Sequence, residues 1–192
     1  MKELNHRVKN NLSMVSSLIS LKESENGDDL SDLKHRINVI KLVHEKLHQQ
    51  NDIEHIEVKE YLQDILVSLF SSSSELAVDL VNNIVEVSFP TKTAIPLGLV
   101  VNEIATNAIK YGFISGKEAR FTIKMISDSR NKLYILTLSN TGNPFPEGIG
   151  LENPKTLGLQ LISTLVDQMD GTIELKRKPN PVFTIRFPIR EE

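Results

Sequence analysis

The sequence predicts an α+β chain, with an N-terminal antiparallel helical hairpin over residues 1–52 and an α/β sandwich over 53–192. Three observations predict it. Apolar residues recur at steps of three and four in two early segments, the period of a core-facing helix. Later segments carry the alternating or continuous apolar character of strands. Between the last strands and a further helix lies a long stretch rich in Pro and Gly.

In chain order, Leu4, Val8, Leu12, Val15, Leu18 and Ile19 form the first stripe. A polar break at 22–29 follows, then a second stripe of Leu30, Leu33, Ile37, Ile40, Val43 and Leu47. Two such helices on a short link form an antiparallel hairpin whose seam stays half covered, so a four-helix homodimer is expected, with a monomer as the rival. Val58–Phe70 reads as a third helix, ended by the serine run Ser71–Ser74. Ala77–Val81 and Ile84–Phe89 read as a hairpin around the turn-forming pair Asn82-Asn83. Thr93–Tyr111 reads as a helix with Pro96 near its start. Phe121–Ser127 and Leu133–Ser139 are expected strands. Thr141–Thr156 holds three Pro and three Gly and is expected to be a loop. Leu157–Met169 closes as a helix, and Gly171–Leu175 and Val182–Phe187 as strands.

Composition narrows the function. The chain has 192 residues, 40% of them hydrophobic, and a net charge of −3 with scattered basic residues. That gives no electrostatic footprint for nucleic acid or a membrane surface. Cysteine is absent, which excludes disulfides, thiolate metal sites and cysteine catalysis. No apolar run reaches the length of a membrane span, and the simplest expectation is a cytoplasmic protein.

Two stretches carry chemistry. Glu103, Asn107 and Lys110 with Tyr111 share one face of the expected helix, because they are spaced by three or four. A carboxylate, an amide and an ammonium on one face suit a magnesium–nucleotide site, although a solvated helix face has the same composition. The Gly-containing loop then runs into Thr156-Leu157-Gly158-Leu159 at a helix start, where free N–H groups and the helix dipole favour an anion. The plainer explanation of Gly158 is close packing.

These stretches resemble a known family. Pro96 to Gly112, with Asn102, Glu103, Asn107, Lys110 and Tyr111, is similar to the N box of the Bergerat-fold ATPases in its histidine-kinase form. Residues 140–148 resemble the first glycine box and Thr156–Leu161 the second. Glu3-Leu4-Asn5-His6-Arg7-Val8-Lys9-Asn10-Asn11-Leu12 is similar to the phosphoacceptor motif of the HisKA_2 histidine kinases. The resemblance implies that His6 is the phosphoacceptor and that ATP and Mg²⁺ are bound. It implies Mg²⁺ on Asn107, Glu103 as base or organiser, and Lys110 on phosphate, with Tyr111 lining the pocket. Gly142, Gly158 and the backbone at Leu159, with Thr156 and Leu157 in the second box, would cradle adenine and phosphates. Thr184 is placed near the base. The implied partner is the receiver domain of a response regulator, whose aspartate takes the phosphoryl group. One departure stands out: Asn140 occupies the place of the Asp that accepts a bond from the adenine amino group, and Pro144 that of the second glycine. An Asn carbonyl accepts the same bond without the charge.

The residues around His6 agree with this role. Imidazole is a good nucleophile near neutral pH and a covalent phosphoryl carrier. Glu3, one turn before, can orient or deprotonate the ring. Arg7 and Lys9 add positive charge, and Asn10, one turn after, can hydrogen-bond the phosphoryl group or a water. His44 and His48 have the spacing of a metal pair but no third ligand, and are read as parts of a packing helix. Two other functions remain open: a phosphotransfer adaptor that keeps His6 but has lost ATP binding, and a serine kinase acting as an anti-sigma factor, against which the histidine motif argues.

Overall fold

The computed structural model describes residues 36–39, 55–72, 77–151, 154 and 156–189. Most of the expected hairpin, and with it Glu3, His6, Arg7 and Asn10, lies outside them; residues 36–39 are helical.

The described chain starts with β1 (His55–Glu57) and α1 (Val58–Ser71). In α1, Val58, Tyr61, Leu62, Ile65, Leu66, Leu69 and Phe70 are buried. This is the three-and-four spacing that puts one stripe on a core. Then come β2 (Val78–Ile84), β3 (Ser88–Pro90) and α2 (Thr91–Asn107), which passes into a π-helical turn at Ala108–Gly112. The rest is β4 (Ala119–Asp128), β5 (Leu133–Asn140), α3 (Leu157–Gln168), β6 (Thr172–Lys176) and β7 (Val182–Pro188).

Five strands form one sheet in the order β2-β4-β5-β7-β6, and β1 pairs with β3 apart from it. Only the β2–β4 pair in that sheet is parallel. Phe121, Ile123 and Met125 of β4, Leu136 and Leu138 of β5, and Phe183, Ile185 and Phe187 of β7 are buried beneath the helices. Their neighbours Arg120, Lys124, Thr137, Thr184 and Arg186 alternate to the other face. Helix α2 lies between α1 and α3, and every residue from Ala94 to Thr106 is buried. A helix apolar nearly all round belongs at the centre of a layer.

One expectation is corrected. Residues 77–89 do not turn at Asn82-Asn83. The chain stays extended from Val78 to Ile84, and Asn82 and Asn83 lie opposite Ile123 and Lys124 of β4. Seven residues of parallel ladder outweigh the turn preference of two, and the Asn82 amide donates to Gln63 of α1 at 3.3 Å. The second half of that segment instead supplies β3, which pairs antiparallel with β1.

Helices α1 and α2 approach closely where a side chain is missing. A Cβ on Gly98 would stand 2.1 Å from the Tyr61 hydroxyl. That hydroxyl is buried without a hydrogen-bond partner among the described residues, and burial pushes its pKa upward. An orphaned buried hydroxyl costs about 1–3 kcal/mol. Tyr61→Phe is therefore expected to raise unfolding stability by about 1 kcal/mol. Urea titration checks it, and a loss of that size would show that the hydroxyl is satisfied after all.

Candidate nucleotide site

The end of α2, the π turn, the end of β5 and the start of α3 enclose a cavity of about 350 Å³. Local sequence explains the walls. The apolar α2 is committed to the core until its last turn, where Asn107 is only half buried. The wider π turn, a geometry frequent at functional sites, then brings Ala108, Tyr111 and Gly112 to the wall. Asn140, the last residue of β5, faces the helix side and is buried. Its Nδ2 donates to the Thr141 carbonyl at 2.9 Å, so the amide oxygen remains available as an acceptor.

The loop from Thr141 to Leu151 forms the rim. Gly142 has a φ of +116°, and a Cβ there would stand 2.2 Å from the Gly112 carbonyl oxygen. Only glycine combines that backbone with that approach. The Asn143 N–H donates to the same carbonyl at 2.7 Å, and its side-chain amide to the Tyr111 carbonyl at 3.1 Å. Phe145 meets Phe183 edge-on at 5.7 Å between centroids, and the Arg177 guanidinium lies 5.5 Å over its ring. Arg177 also donates to the Pro146 carbonyl at 2.6 Å. These contacts tie the rim to the end of β6.

Helix α3 begins at the same cavity. Its N-cap Thr156 makes no capping hydrogen bond through its side chain, and both Thr156 and Leu159 line the wall. Uncapped first-turn N–H groups and the positive end of the dipole favour an anion at that point.

Of the residues singled out from sequence, Asn107, Tyr111, Asn140, Thr156 and Leu159 line one cavity, and Gly142 shapes its rim. Tyr111 is 68% exposed. Lys110 is exposed on the π turn, and Leu157 opens α3. Thr184 is not among the lining residues: it alternates with Phe183, which is, and so sits on the opposite face of the sheet. Glu103 is buried one turn before Asn107 and also stands off the wall. Gly158 faces Glu103, since a Cβ there would come within 3.1 Å of its Oε2.

Two sets of residues were missed. The apolar walls (Ile104, Phe145, Ile149 and Phe183) come from three distant segments, and no local spacing marks them. Arg36 is the other. Its Nε donates to Glu103 Oε1 at 2.6 Å and its Nη2 to Oε2 at 2.9 Å, both side chains being buried. The available signal was its place in the second stripe, three residues after Leu33 and four before Ile40, where a charge on the packing side needs a partner.

A helix layer on a mixed sheet, with an amide-lined cavity between a helix end and a glycine-containing loop, defines a nucleotide-binding ATPase class of fold. The comparisons with known proteins are more specific. Residues 92–191 match the family described as histidine kinase-, DNA gyrase B- and HSP90-like ATPase, and residues 3–73 match the HisKA_2 histidine kinase family. The chain belongs to the histidine kinases. It is 28% identical over 198 residues to the sensor histidine kinase PdtaS of Mycobacterium tuberculosis, covering 98% of this chain and 39% of that protein. It is 26% identical over 202 residues to blue-light-activated histidine kinase 2 of Erythrobacter litoralis, covering 99% and 57%. The chain thus spans about two fifths to three fifths of these relatives. Among solved structures, the histidine kinase domain of the E. litoralis EL346 blue-light-activated kinase superposes with a TM-score of 0.77 at 21% identity, over 92% of this chain and 83% of that one. The catalytic domain of the histidine kinase ThkA gives 0.58 at 18% identity, over 72% and 97%. Both share the fold. Among the described residues, no helix is long and apolar enough to cross a membrane.

Proposed function

We propose that the chain is an ATP-dependent protein-histidine kinase that phosphorylates its own His6 and passes the phosphoryl group to a response-regulator aspartate. The observation that carries this reading is the cavity itself. It joins a buried amide acceptor, Asn140, to apolar walls that suit a purine, and Asn107 and the start of α3 border the same cavity, which supports phosphate binding at that end. Asn140 would accept from the adenine amino group through its free oxygen. The residues present also fit Mg²⁺. The ion takes one or two protein ligands and completes its shell with phosphate oxygens and water, and Asn107 supplies an amide oxygen of the right hardness. When bound, Mg²⁺ would neutralise phosphate charge.

In the proposed step an imidazole nitrogen of His6 forms a bond to the γ-phosphorus. The bond from that phosphorus to the β,γ-bridging oxygen breaks, and ADP leaves with the electron pair. The proton of the other ring nitrogen passes to a carboxylate, with Glu103 or Glu3 as the acceptor. Arg7, Lys110 and Asn10 would steady the transferred charge, while Gly142 lets the rim close on the Gly112 carbonyl and Gly158 lets α3 approach Glu103. Thr184, expected near the base, is on the sheet face opposite the cavity and takes no part in this reading. We place the division between phosphotransfer and ATP-binding domains at 52/53, and the protein in the cytoplasm.

Incubation with γ-labelled ATP and Mg²⁺ tests this. The label should be stable in base and lost in acid, as phosphohistidine is. An acid-stable label would point to a serine or threonine acceptor. Failure to bind ATP at all would support the adaptor reading that Asn140 and Pro144 allow.

The homodimer is part of the same proposal. Residues 36 and 39 face the ATP domain, where Val39 is buried, while Ile37 of the second stripe is 44% exposed. The stripe thus keeps a face for another helix. Light scattering at micromolar concentration should give twice 21.6 kDa. A mass of one chain, unchanged on dilution, would require transfer within a single chain.

A further inference from the structure

Arg36 and Glu103 lie 67 residues apart and belong to different halves of the chain. Arg36 falls in the segment that matches the phosphoacceptor family, and Glu103 in the ATPase segment. Around them the contact is built. Val39 is buried in the shared core, and the Asn38 amide donates to Ser68 of α1 at 3.2 Å. The Glu103 carboxylate is held by the guanidinium fork at both oxygens, and it packs so close to Gly158 that a Cβ there would stand 3.1 Å from Oε2.

We infer that Arg36 is a positioning residue for phosphoryl transfer, acting through Glu103. The inference rests on the kinase reading above. A planar guanidinium that engages both oxygens fixes the rotation of the carboxylate as well as its place, which a single point charge cannot do. Glu103 stands one helical turn before Asn107, so its orientation is set relative to the nucleotide cavity by the helix they share. The fork comes from the other half of the chain. Glu103 is therefore fully oriented only when the segment carrying Arg36 is docked on the ATP domain. Without that docking, the carboxylate would sit against Gly158 with no counter-charge from Arg36. The pair thereby links assembly of the two halves to alignment of the group proposed to receive or organise the proton of the attacking imidazole.

The experiment compares Arg36→Met, Arg36→Lys, Glu103→Gln and the Arg36→Met/Glu103→Gln double variant in the full chain. It measures initial rates of His6 labelling across ATP concentrations, with melting curves in parallel. Arg36→Met is expected to lower the rate at saturating ATP by about 100-fold, the scale of a misplaced catalytic group, with KM for ATP within about twofold of wild type. Arg36→Lys, which keeps the charge and loses the fork, should recover part of the rate and remain about 5–10-fold slow. The double variant should be no slower than Glu103→Gln alone, because Arg36 acts through that carboxylate. A purely structural role would give multiplying losses in the double variant, and that result overturns the inference. So does a wild-type or faster rate in Arg36→Lys, which holds even if Arg36→Met does not fold. Either result leaves the kinase reading standing; a wild-type chain that never labels removes both.

Discussion

Replacing His6 by Gln is expected to abolish autophosphorylation while leaving nucleotide affinity within about twofold of wild type. Glutamine keeps a polar side chain and a hydrogen-bonding amide, but its nitrogen is not a nucleophile, because its lone pair is delocalised into the carbonyl. The phosphoryl acceptor is thereby removed rather than weakened. Affinity is expected to hold because, among the described residues, the cavity is lined by ones between Ile104 and Phe183. Labelling with γ-labelled ATP, beside titration of a fluorescent nucleotide, checks both halves. Undiminished label on the variant would move the acceptor to another side chain. Lost label together with lost binding would mean that His6 supports the ATP site instead.

The second large effect is expected at Asn107. Asn107→Ala removes the one amide that lines the cavity from α2, and with it the proposed protein ligand of Mg²⁺. Phosphoryl transfer is chiefly positioning and charge neutralisation, so loss of one such contact is expected to cost about 100-fold in kcat/KM. Asn107→Asp tests the same point differently. It keeps an oxygen but brings negative charge towards the phosphates, and is expected to impair binding or turnover as well. The readout is kcat/KM across a Mg²⁺ titration. Rates equal to wild type in both variants would reduce this face of α2 to cavity wall, with the metal held elsewhere.

Much of the ATP domain was legible from local spacing. The stripe of α1 predicts its buried face, from Val58 to Phe70. The strands at Phe121–Ser127 and Leu133–Ser139 follow from their apolar pattern; the structure pairs them across a short polar turn, in which Asp128 accepts from the Arg130 and Asn131 N–H groups at 3.1 and 3.2 Å. The Asn131 side-chain amide, followed by those N–H bonds, holds the Asp128 carboxyl below its usual range. Asn107 and Tyr111, placed on one face by their spacing, both line the cavity, whereas Glu103, one turn earlier, is buried off its wall and the π turn alters the spacing after Asn107.

What the sequence by itself determined was therefore most of the helices and strands of the ATP domain, though not β1, together with the chemistry available on each and the family to which their order belongs. Tertiary structure decided three things. The Asn82-Asn83 pair signals a turn in isolation, but the ladder to β4 recruits both residues into a strand. Thr184 and Phe183 are neighbours in sequence, yet the pleat gives the cavity only to Phe183. Arg36 reads as an interruption of an apolar stripe, and becomes intelligible only when Glu103 meets it across 67 residues. The common reason is range. Periodicity and turn chemistry report interactions between residues a few positions apart. A buried charge, a pocket wall or a strand register is set by partners whose distance along the chain carries no local mark.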